Sequence, residues 1–222
     1  MLKDFELRRV SLRDQALAVI REALITGRIA PGTVHSAAGL AGELGVSASP
    51  VREAMLALVD VGLMEAVPNK GFRAVTMTEH DLEEIVELRM LLEPPGMARI
   101  ARLDLSHRAD HLTGLVDAIE ATAAGGDVPG NLRADREFHL SLLAEGGNRR
   151  LVDTVARLRD QTRLFSLPAL AGTDRLVAAA AEHRPLLAAV LAHDQDRAEE
   201  LTRRHLEHIR TDWAGPPARH VP

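Results

Sequence analysis

Apolar residues recur at every third or fourth position near the start of the chain, and this period predicts an amphipathic helix in SLRDQALAVIREALITG. Ser11 precedes the first apolar position and suits an N-cap, and Gly27 suits the C-terminal end. The stretch SAAGLAGELG predicts a short second helix that ends at Gly45. The chain therefore opens with two helices, which the turn residues Pro31 and Gly32 separate.

A third helix and a hairpin follow. The stretch VSASPVREAMLALVDVG keeps helical spacing, with Ser49 as a candidate cap, Pro50 in the first helical position and Gly62 at its end. Residues 63–67 and 72–76 are short extended stretches joined by PNKG, a turn sequence. Three helices followed by a two-stranded hairpin predict a winged helix-turn-helix.

Strand signals disappear from Thr78 onward. GGDVPG (125–130) and LPALAG (167–172) are predicted loops, and Pro94 and Pro95 should kink the first helix. Helices of this length with short connections imply an antiparallel bundle. The predicted fold is all-α with a small β-hairpin wing: an N-terminal winged helix-turn-helix and a C-terminal six-helix antiparallel bundle. The six predicted helices are 79–103, 107–124, 131–145, 148–166, 173–192 and 195–212.

Charge is distributed unevenly between the two predicted domains, residues 1–77 and residues 78–222. The whole chain carries a formal net charge of −5, but the first domain carries +1 and the second −6, together with nine of the ten histidines. A contact with nucleic acid therefore belongs in the first domain. The second domain is expected to bind something else.

Composition excludes several classes of protein. The chain has no cysteine, so it has no disulfide, no thiolate metal site and no cysteine nucleophile. It has no run of about 18 apolar residues, which argues against a transmembrane helix, and its start lacks the pattern of a secretory signal. We expect a cytoplasmic protein with no membrane partner.

The start of the third helix and the hairpin turn carry residue types that suit DNA. A recognition helix brings its N-terminal residues to the major groove, where hydroxyl groups bond phosphates and arginine reads guanine or phosphate. The alternative is that each residue is only a helix cap or part of a solvated loop. Their joint occurrence in a winged layout favours DNA contact by Ser47, Ser49, Arg52, Lys70 and Gly71.

Four polar residues fall on predicted inward faces of helices in the second domain. Asp135 and His139, in DREFH, stand one turn apart and share a face with two leucines. His183 and His205 lie on apolar stripes of two further helices. An isolated buried carboxylate is unfavourable unless it is paired or bound to a metal. A single inward histidine is usually an ordinary core residue, but three imidazoles and a carboxylate together predict a site for a divalent transition metal.

Residues 40–72, LAGELGVSASPVREAMLALVDVGLMEAVPNKGF, resemble the GntR family of bacterial transcription regulators. The resemblance implies that the DNA contacts are Ser47, Ser49, Arg52, Lys70 and Gly71. Four positions depart from the family pattern, and one of them is His35, where the family often has a leucine. The family usually has an arginine at Ala48, and often charged or polar residues at Ala37 and Ala38. Fewer cationic contacts imply weaker DNA binding and a flatter salt dependence.

The second domain resembles the FCD ligand-binding domain of the FadR-type subfamily. The matching segments are RMLLEPPGMA, DREFH, GNRRL, EHRPLLAAVLAHD and AEELTRRHL, in the expected order. The resemblance implies four metal ligands, namely Asp135, His139, His183, which follows a glutamate, and His205 on the last helix. Six predicted helices resemble the VanR-like branch. Zinc is the expected metal, with nickel or manganese as alternatives.

Open coordination positions on such a metal imply a small carboxylate metabolite as effector. Arg89 lies on the apolar stripe of its helix and should point inward, where arginine pairs bidentately with carboxylates. The resemblance implies that Arg89 contacts the effector, although Glu93, one turn later, is an alternative partner. Asn148 is a second candidate for the effector, with helix capping as the alternative. His208 is a reserve candidate for supporting the metal ligands from outside.

These features predict a bacterial transcription regulator, expected to be a repressor, which binds a pseudo-palindromic operator in double-stranded DNA as a homodimer. Binding of the acid against the metal is expected to change the spacing of the two winged domains. One alternative is a regulator that senses the metal itself, and another is a metal-dependent hydrolase of a small acid. A third is a purely structural metal. No spare general base stands at an obvious spacing, so we do not expect an enzyme.

Overall fold

The computed structural model describes residues 11–170 and 174–213. The chain divides into two compact units, Met1–Thr76 and Met77–Pro222. None of the described helices combines the length and the hydropathy that crossing a bilayer requires.

The first unit contains three helices and three short strands. They are α1 (Leu12–Ile25), β1 (Val34–His35), α2 (Ala37–Leu44), α3 (Ala48–Asp60), β2 (Met64–Val67) and β3 (Gly71–Ala74). α1 begins at its predicted cap, since Ser11 Oγ accepts the N–H of Asp14 at 3.1 Å. Gly45 closes α2 in the left-handed region, with φ of 66°. The predicted order of helices and hairpin is therefore observed.

α3 begins earlier than predicted. Its N-cap is Ser47, and Ser49 and Pro50 are already inside the first turn. Proline is tolerated there because the first backbone N–H groups of a helix have no intrahelical acceptor. The prediction that Ser49 caps the helix was wrong. The first helical residue is Ala48, two residues before the predicted Pro50.

The three strands form an antiparallel sheet in the order β1-β3-β2. The predicted hairpin is the pair β2 and β3. The sequence did not predict β1, because a strand of two residues is too short to show an alternating pattern. β1 pairs His35 with Phe72. Gly71 has φ of 123°, and a Cβ there would collide with the carbonyl oxygen of His35. Only glycine fits this junction of the hairpin turn with β1.

The second unit is helical throughout its described residues, apart from turns. α4 packs against α7 and α10, and α5 packs against α6. An aliphatic core lies between them, with Phe138 as its one fully buried aromatic ring among the described residues. The helices are α4 (Glu79–Ile100), α5 (Ala109–Ala124), α6 (Val128–Glu145), α7 (Arg149–Leu170), α8 (Asp174–Ala181), α9 (His183–Leu191) and α10 (Gln195–Trp213), with a 3₁₀ turn at Ser106–Arg108.

Two predicted loops are partly helical. α6 begins at Val128, because Asp127 Oδ1 accepts the N–H of Gly130 at 3.0 Å and Pro129 stands in the first turn. α7 continues as far as Leu170. The remaining residues of the second predicted loop, 171 and 172, lie outside the described part of the chain. α4 continues through Pro94 and Pro95 to Ile100 without a break.

The fifth predicted helix, 173–192, is two helices in the structure, so the described part of the second unit holds seven α-helices. α8 ends at Ala181 and α9 starts at His183. Pro185 accounts for the break, because it has no N–H for the carbonyl of Ala181 and its ring clashes with that carbonyl in a continuous helix. Glu182 therefore stands at the junction of the two helices.

Candidate functional site

The N-terminal end of α3 presents polar side chains to solvent. Ser47, Ser49 and Arg52 are all exposed. Ser49 Oγ donates to Glu53 Oε1 at 3.4 Å, a long and weak bond. The Arg52 guanidinium lies 5.9 Å from the ring centroid of Phe72, in the range of a cation–π contact. Phe72 thus contacts the guanidinium group of Arg52, and Arg52 remains exposed.

The hairpin contributes to the same surface. Arg52, Lys70 and Gly71 line one open groove, together with Ala37 and Ala38. The structure therefore brings together three of the five predicted DNA contacts. Ser47 and Ser49 do not line this groove. The two alanines leave its α2 side without charge, as the departures from the family pattern indicated.

Arg73 is an exposed cation on β3 that the sequence interpretation did not single out. Its Nη1 pairs with Glu65 Oε1 across the hairpin at 2.8 Å. The alternation of Phe72 inward and Arg73 outward in a strand would have identified it.

The four predicted metal ligands converge inside the helical unit. Asp135 and His139 come from α6, His183 from α9 and His205 from α10, and one ligand atom of each lies within 4.8 Å of the others. His183 Nε2 lies 3.1 Å from His139 Nε2 and 3.1 Å from Asp135 Oδ1. The three rings are buried and the carboxylate is half-buried.

Two of the three rings are oriented by a bond at the far nitrogen. His183 Nδ1 donates to the carbonyl of Ala180 at 3.0 Å, and His205 Nδ1 donates to Glu182 Oε2 at 2.7 Å. A neutral imidazole that donates from Nδ1 presents a lone pair at Nε2. Among the described residues, His205 Nε2 is buried with no hydrogen-bond partner, and so is His139 Nδ1.

The cluster suits a cation more than a hydrogen-bond network. Burial lowers the pKa of His205 and holds that of His139 well below its usual range, so both rings are neutral at neutral pH. Neutral imidazoles and an ionised carboxylate are the protonation states that a metal requires. A divalent ion would also satisfy the orphaned Nε2 of His205.

A network of buried arginines surrounds the carboxylate. Asp135 Oδ2 accepts from Arg159 Nη2 at 2.8 Å and also from Arg163 Nη2, so its Oδ1 remains free to face the histidines. Burial alone would raise the pKa of Asp135, but these two guanidinium groups hold it well below its usual value. Burial lowers the pKa of Arg163 to about 10, which leaves it charged at neutral pH.

Glu93 joins the network to α4. It accepts from Arg89 Nε and from Arg159 Nη1, each at 2.6 Å. Arg89 also donates to Thr162 Oγ1 at 3.2 Å, but its Nη2 is buried with no partner among the described residues. Glu93 is thus the internal partner of Arg89, and one guanidinium nitrogen remains available.

A small cavity of about 40 Å³ opens beside the cluster. Asn148 is not among its lining residues. Asn148 Oδ1 instead accepts the N–H of Leu151 at 3.2 Å, which is the capping alternative at the start of α7. The structure therefore does not bring Asn148 to the site. The charged and ligand-forming residues that line the cavity are Arg89, Asp135, Arg159, Arg163, Arg175, His183, His205 and His208.

Sequence models of two families match the chain: "Bacterial regulatory proteins, gntR family" over residues 12–73 and "FCD domain" over residues 84–208. The chain is 31% identical over 202 residues to the "Probable D-xylose utilization operon transcriptional repressor" of Paenarthrobacter nicotinovorans, an alignment covering 90% of this chain and 88% of that protein. The chain belongs to the GntR family of bacterial regulatory proteins. As a GntR protein with an FCD domain, it is a DNA-binding transcription regulator and not an enzyme.

Other relatives of this GntR protein agree with that assignment. It is 30% identical over 197 residues to the "HTH-type transcriptional repressor GlaR" of Escherichia coli, covering 84% of this chain and 89% of that protein. Among solved structures, "E. coli McbR/YncC" superposes with a TM-score of 0.81 over 90% of this chain and 95% of that chain. At 24% identity that match shows the shared fold. The FCD match includes every residue of the metal-ligand cluster.

Sequence reasoning missed the residues that support the cluster. The sequence interpretation did not single out Arg159 or Arg163, yet both are buried. Their helical spacing with buried Val155 and Thr162 on α7 was the available signal. Glu182 was quoted only as the residue before His183.

Proposed function

We propose that the helical unit of this regulator binds a divalent transition metal and, against that metal, a small carboxylate effector that alters DNA binding by the winged unit. The observation that carries the proposal is the convergence of Asp135, His139, His183 and His205 within 4.8 Å. Two buried nitrogen atoms without a partner among the described residues, His205 Nε2 and Arg89 Nη2, support it, and both residues line the cavity.

Asp135, His139, His183 and His205 would hold the metal. Three imidazoles and one carboxylate suit zinc, which accepts a further ligand when it becomes five-coordinate, and also nickel or manganese, which accept more ligands than these four. Once bound, the metal supplies a Lewis-acidic position for an oxygen ligand. The rest of the site is protein: Arg159 and Arg163 hold Asp135 Oδ2, so that Oδ1 faces the rings.

The charge of the cavity favours an anion. Arg89, Arg159, Arg163 and Arg175 line the cavity, and Asp135 is the only carboxylate among its described lining residues. The lining therefore carries an excess positive charge even before a metal is added. Arg89 Nη2 can donate to a carboxylate oxygen without giving up Glu93. We therefore assign Arg89 to the effector.

The winged unit binds the DNA, and its proposed contacts are Ser47, Ser49, Arg52, Lys70 and Gly71. One winged unit reads one half-site, so we infer a homodimer on a pseudo-palindromic operator in double-stranded DNA. We infer a repressor that acts in the cytoplasm and releases DNA when the acid binds. Only a difference in effector affinity between two arrangements of the protein can drive that release.

The test combines metal analysis with DNA binding. Metal content of the purified chain is measured by mass spectrometry, and an operator is selected from random DNA fragments. A panel of small carboxylates is then titrated against the protein–operator complex, with and without chelator. We expect at least one acid to change the DNA dissociation constant by about 5-fold or more, and only in metal-loaded protein.

A His139→Ala variant removes one ligand, and His80→Ala, an exposed histidine of α4, is the matched control. The response to the acid should disappear in the first variant and persist in the second. A DNA response to metal alone would favour the metal-sensing alternative. Loss of melting temperature in chelator, with no DNA response to any acid, would favour a structural metal.

A further inference from the structure

We propose that Glu182 is a positioning residue that fixes the tautomer and orientation of His205, so that His205 Nε2 presents its lone pair to the metal. This inference rests on the proposed metal site. It assigns a role to a residue outside the ligand set, whose carboxylate does not itself face the cluster.

Both carboxylate oxygens of Glu182 accept hydrogen bonds from histidines of α10. Glu182 Oε2 accepts from His205 Nδ1 at 2.7 Å, and Glu182 Oε1 accepts from His208 Nδ1. His205 is 4% exposed, and its other nitrogen, Nε2, is buried without a partner among the described residues. The hydrogen bond at Nδ1 therefore leaves Nε2 as the only nitrogen of this ring that is available to a metal.

A neutral imidazole has two tautomers, and only the one protonated at Nδ1 carries a lone pair at Nε2. A carboxylate that accepts from Nδ1 selects that tautomer, stops the ring from turning and raises the basicity of Nε2. Without this acceptor, the ring loses both its fixed orientation and its fixed proton. Metal binding would then have to supply the free energy to restore them.

The helix break explains how one short segment serves two ligands. Neighbouring residues on a helix point about 100° apart, and Glu182 and His183 stand on either side of the interruption that Pro185 causes. His183 reaches the cluster from α9, while Glu182 contacts His205 of α10 at Nδ1, the nitrogen on the other side of the ring from Nε2.

The three histidines differ in what holds their far nitrogen. A backbone carbonyl, that of Ala180, holds His183 Nδ1, and no described residue holds His139 Nδ1. Among the described residues, His205 is thus the ligand whose far nitrogen donates to a side chain. Its support can be removed by mutation without touching a ligand.

The test uses the full-length protein stripped of metal, with zinc as the probe and a competing chelator to measure affinity. The variants are Glu182→Ala and Glu182→Gln, with His205→Ala as the reference for a lost ligand. The control is Glu199→Ala, which removes an exposed carboxylate of α10 that pairs with Arg203 outside the cluster. Circular dichroism and melting of the metal-free variants establish that each is folded.

We expect Glu182→Ala to weaken zinc binding by about 10- to 100-fold. Glu182→Gln keeps a neutral acceptor oxygen, so its affinity should fall between those of Glu182→Ala and the wild type. Glu199→Ala should stay within about 3-fold of the wild type, since the bond between His205 and Glu182 remains. Equal zinc affinity in the wild type and in folded Glu182→Ala overturns the inference.

Imidazole nitrogen NMR separates positioning from a merely structural link between α9 and α10. In the metal-free wild type, His205 should show a proton on Nδ1, and in Glu182→Ala the proton should shift toward Nε2 or exchange between both nitrogens. An unchanged tautomer also overturns the inference. A wild type that binds no zinc, nickel or manganese overturns the proposed metal site, and this inference with it.

Discussion

At the scale of a single residue, the buried carboxylate of Glu93 is expected to contribute strongly to the stability of the helical unit. It has no exposed surface, and it accepts from two buried arginines at 2.6 Å each. Replacing Glu93 with Gln leaves Arg89 without its counter-charge and leaves Arg159 with Asp135 alone. We expect a loss of about 3–5 kcal/mol in the free energy of unfolding at neutral pH, measured by urea denaturation. Glu84→Gln, on an exposed face of α4 beside His80, is the control and should change it by less than about 0.5 kcal/mol.

The pH dependence of the same comparison tests whether Glu93 is ionised. Burial raises the pKa of Glu93, but Arg89 and Arg159 outweigh it and lower that pKa below the usual 4.5. Because the pKa is lower in the folded state, the stabilisation is present above pH 4.5 and is lost as the pH falls through the folded value. The stability difference between wild type and Glu93→Gln should therefore shrink below pH 4.5, measured in chelator throughout. A difference that stays constant into acid would show that Glu93 is neutral.

Arg52 is the residue on which we expect operator affinity to depend most. It is exposed at the start of α3, lines the groove with Lys70 and lies over Phe72. Arg52→Ala should weaken operator binding by about 1–3 kcal/mol if it reads a base, or reduce the salt slope by about 1 if it binds a phosphate. Fluorescence anisotropy at several salt concentrations measures both. Arg28→Ala, an exposed arginine outside the groove that pairs with Glu22, should do neither.

At the scale of elements, the periodic stretches could be predicted and the junctions could not. Apolar spacing located α1, α2, α3 and the hairpin, because each buries a continuous stripe. It missed the two-residue β1, which is too short to alternate. It also joined α8 to α9, because the apolar stripe continues across residue 182 while Pro185 breaks the backbone ladder.

For the candidate site, too, some residues could be predicted from the sequence and others could not. The spacing of Asp135 and His139 on one helix, and the apolar stripes around His183 and His205, were visible in the sequence, and the structure brings the four together. Arg159, Arg163 and Glu182 were not found, because a charged residue on a helix is ordinarily solvated. Their burial depends on partners from other helices, which local spacing does not reveal.

The junction of the hairpin turn with β1 can be tested by two glycine substitutions in the winged unit. Gly71→Ala places a Cβ against the carbonyl oxygen of His35 at φ of 123°, so we expect a loss of about 1–3 kcal/mol in stability. Gly42→Ala adds a Cβ in open space within α2, so it should stabilise the unit by about 0.5–1 kcal/mol. Thermal unfolding by circular dichroism compares them. Equal melting temperatures would contradict the strained geometry at Gly71.

At the scale of the whole molecule, the chain contains two compact units, and the metal-ligand cluster lies wholly within the second. A metal that binds the folded state but not the unfolded chain stabilises only the unit that holds it, by about 2.7 kcal/mol at a free concentration 100-fold above the dissociation constant. We expect a chelator to lower the melting temperature of the helical unit and to leave that of the winged unit unchanged. Scanning calorimetry on full-length protein measures both transitions.

The control for that measurement is the variant His139→Ala, which should melt at the same temperature with and without chelator. If chelator lowered the melting temperature of this variant as much as that of the wild type, the metal would lie elsewhere. A chelator effect on the winged unit alone would contradict the assignment of the ligands to α6, α9 and α10. The melting transitions of the two units should therefore respond differently to chelator, because the ligands of the proposed metal all come from the helical unit.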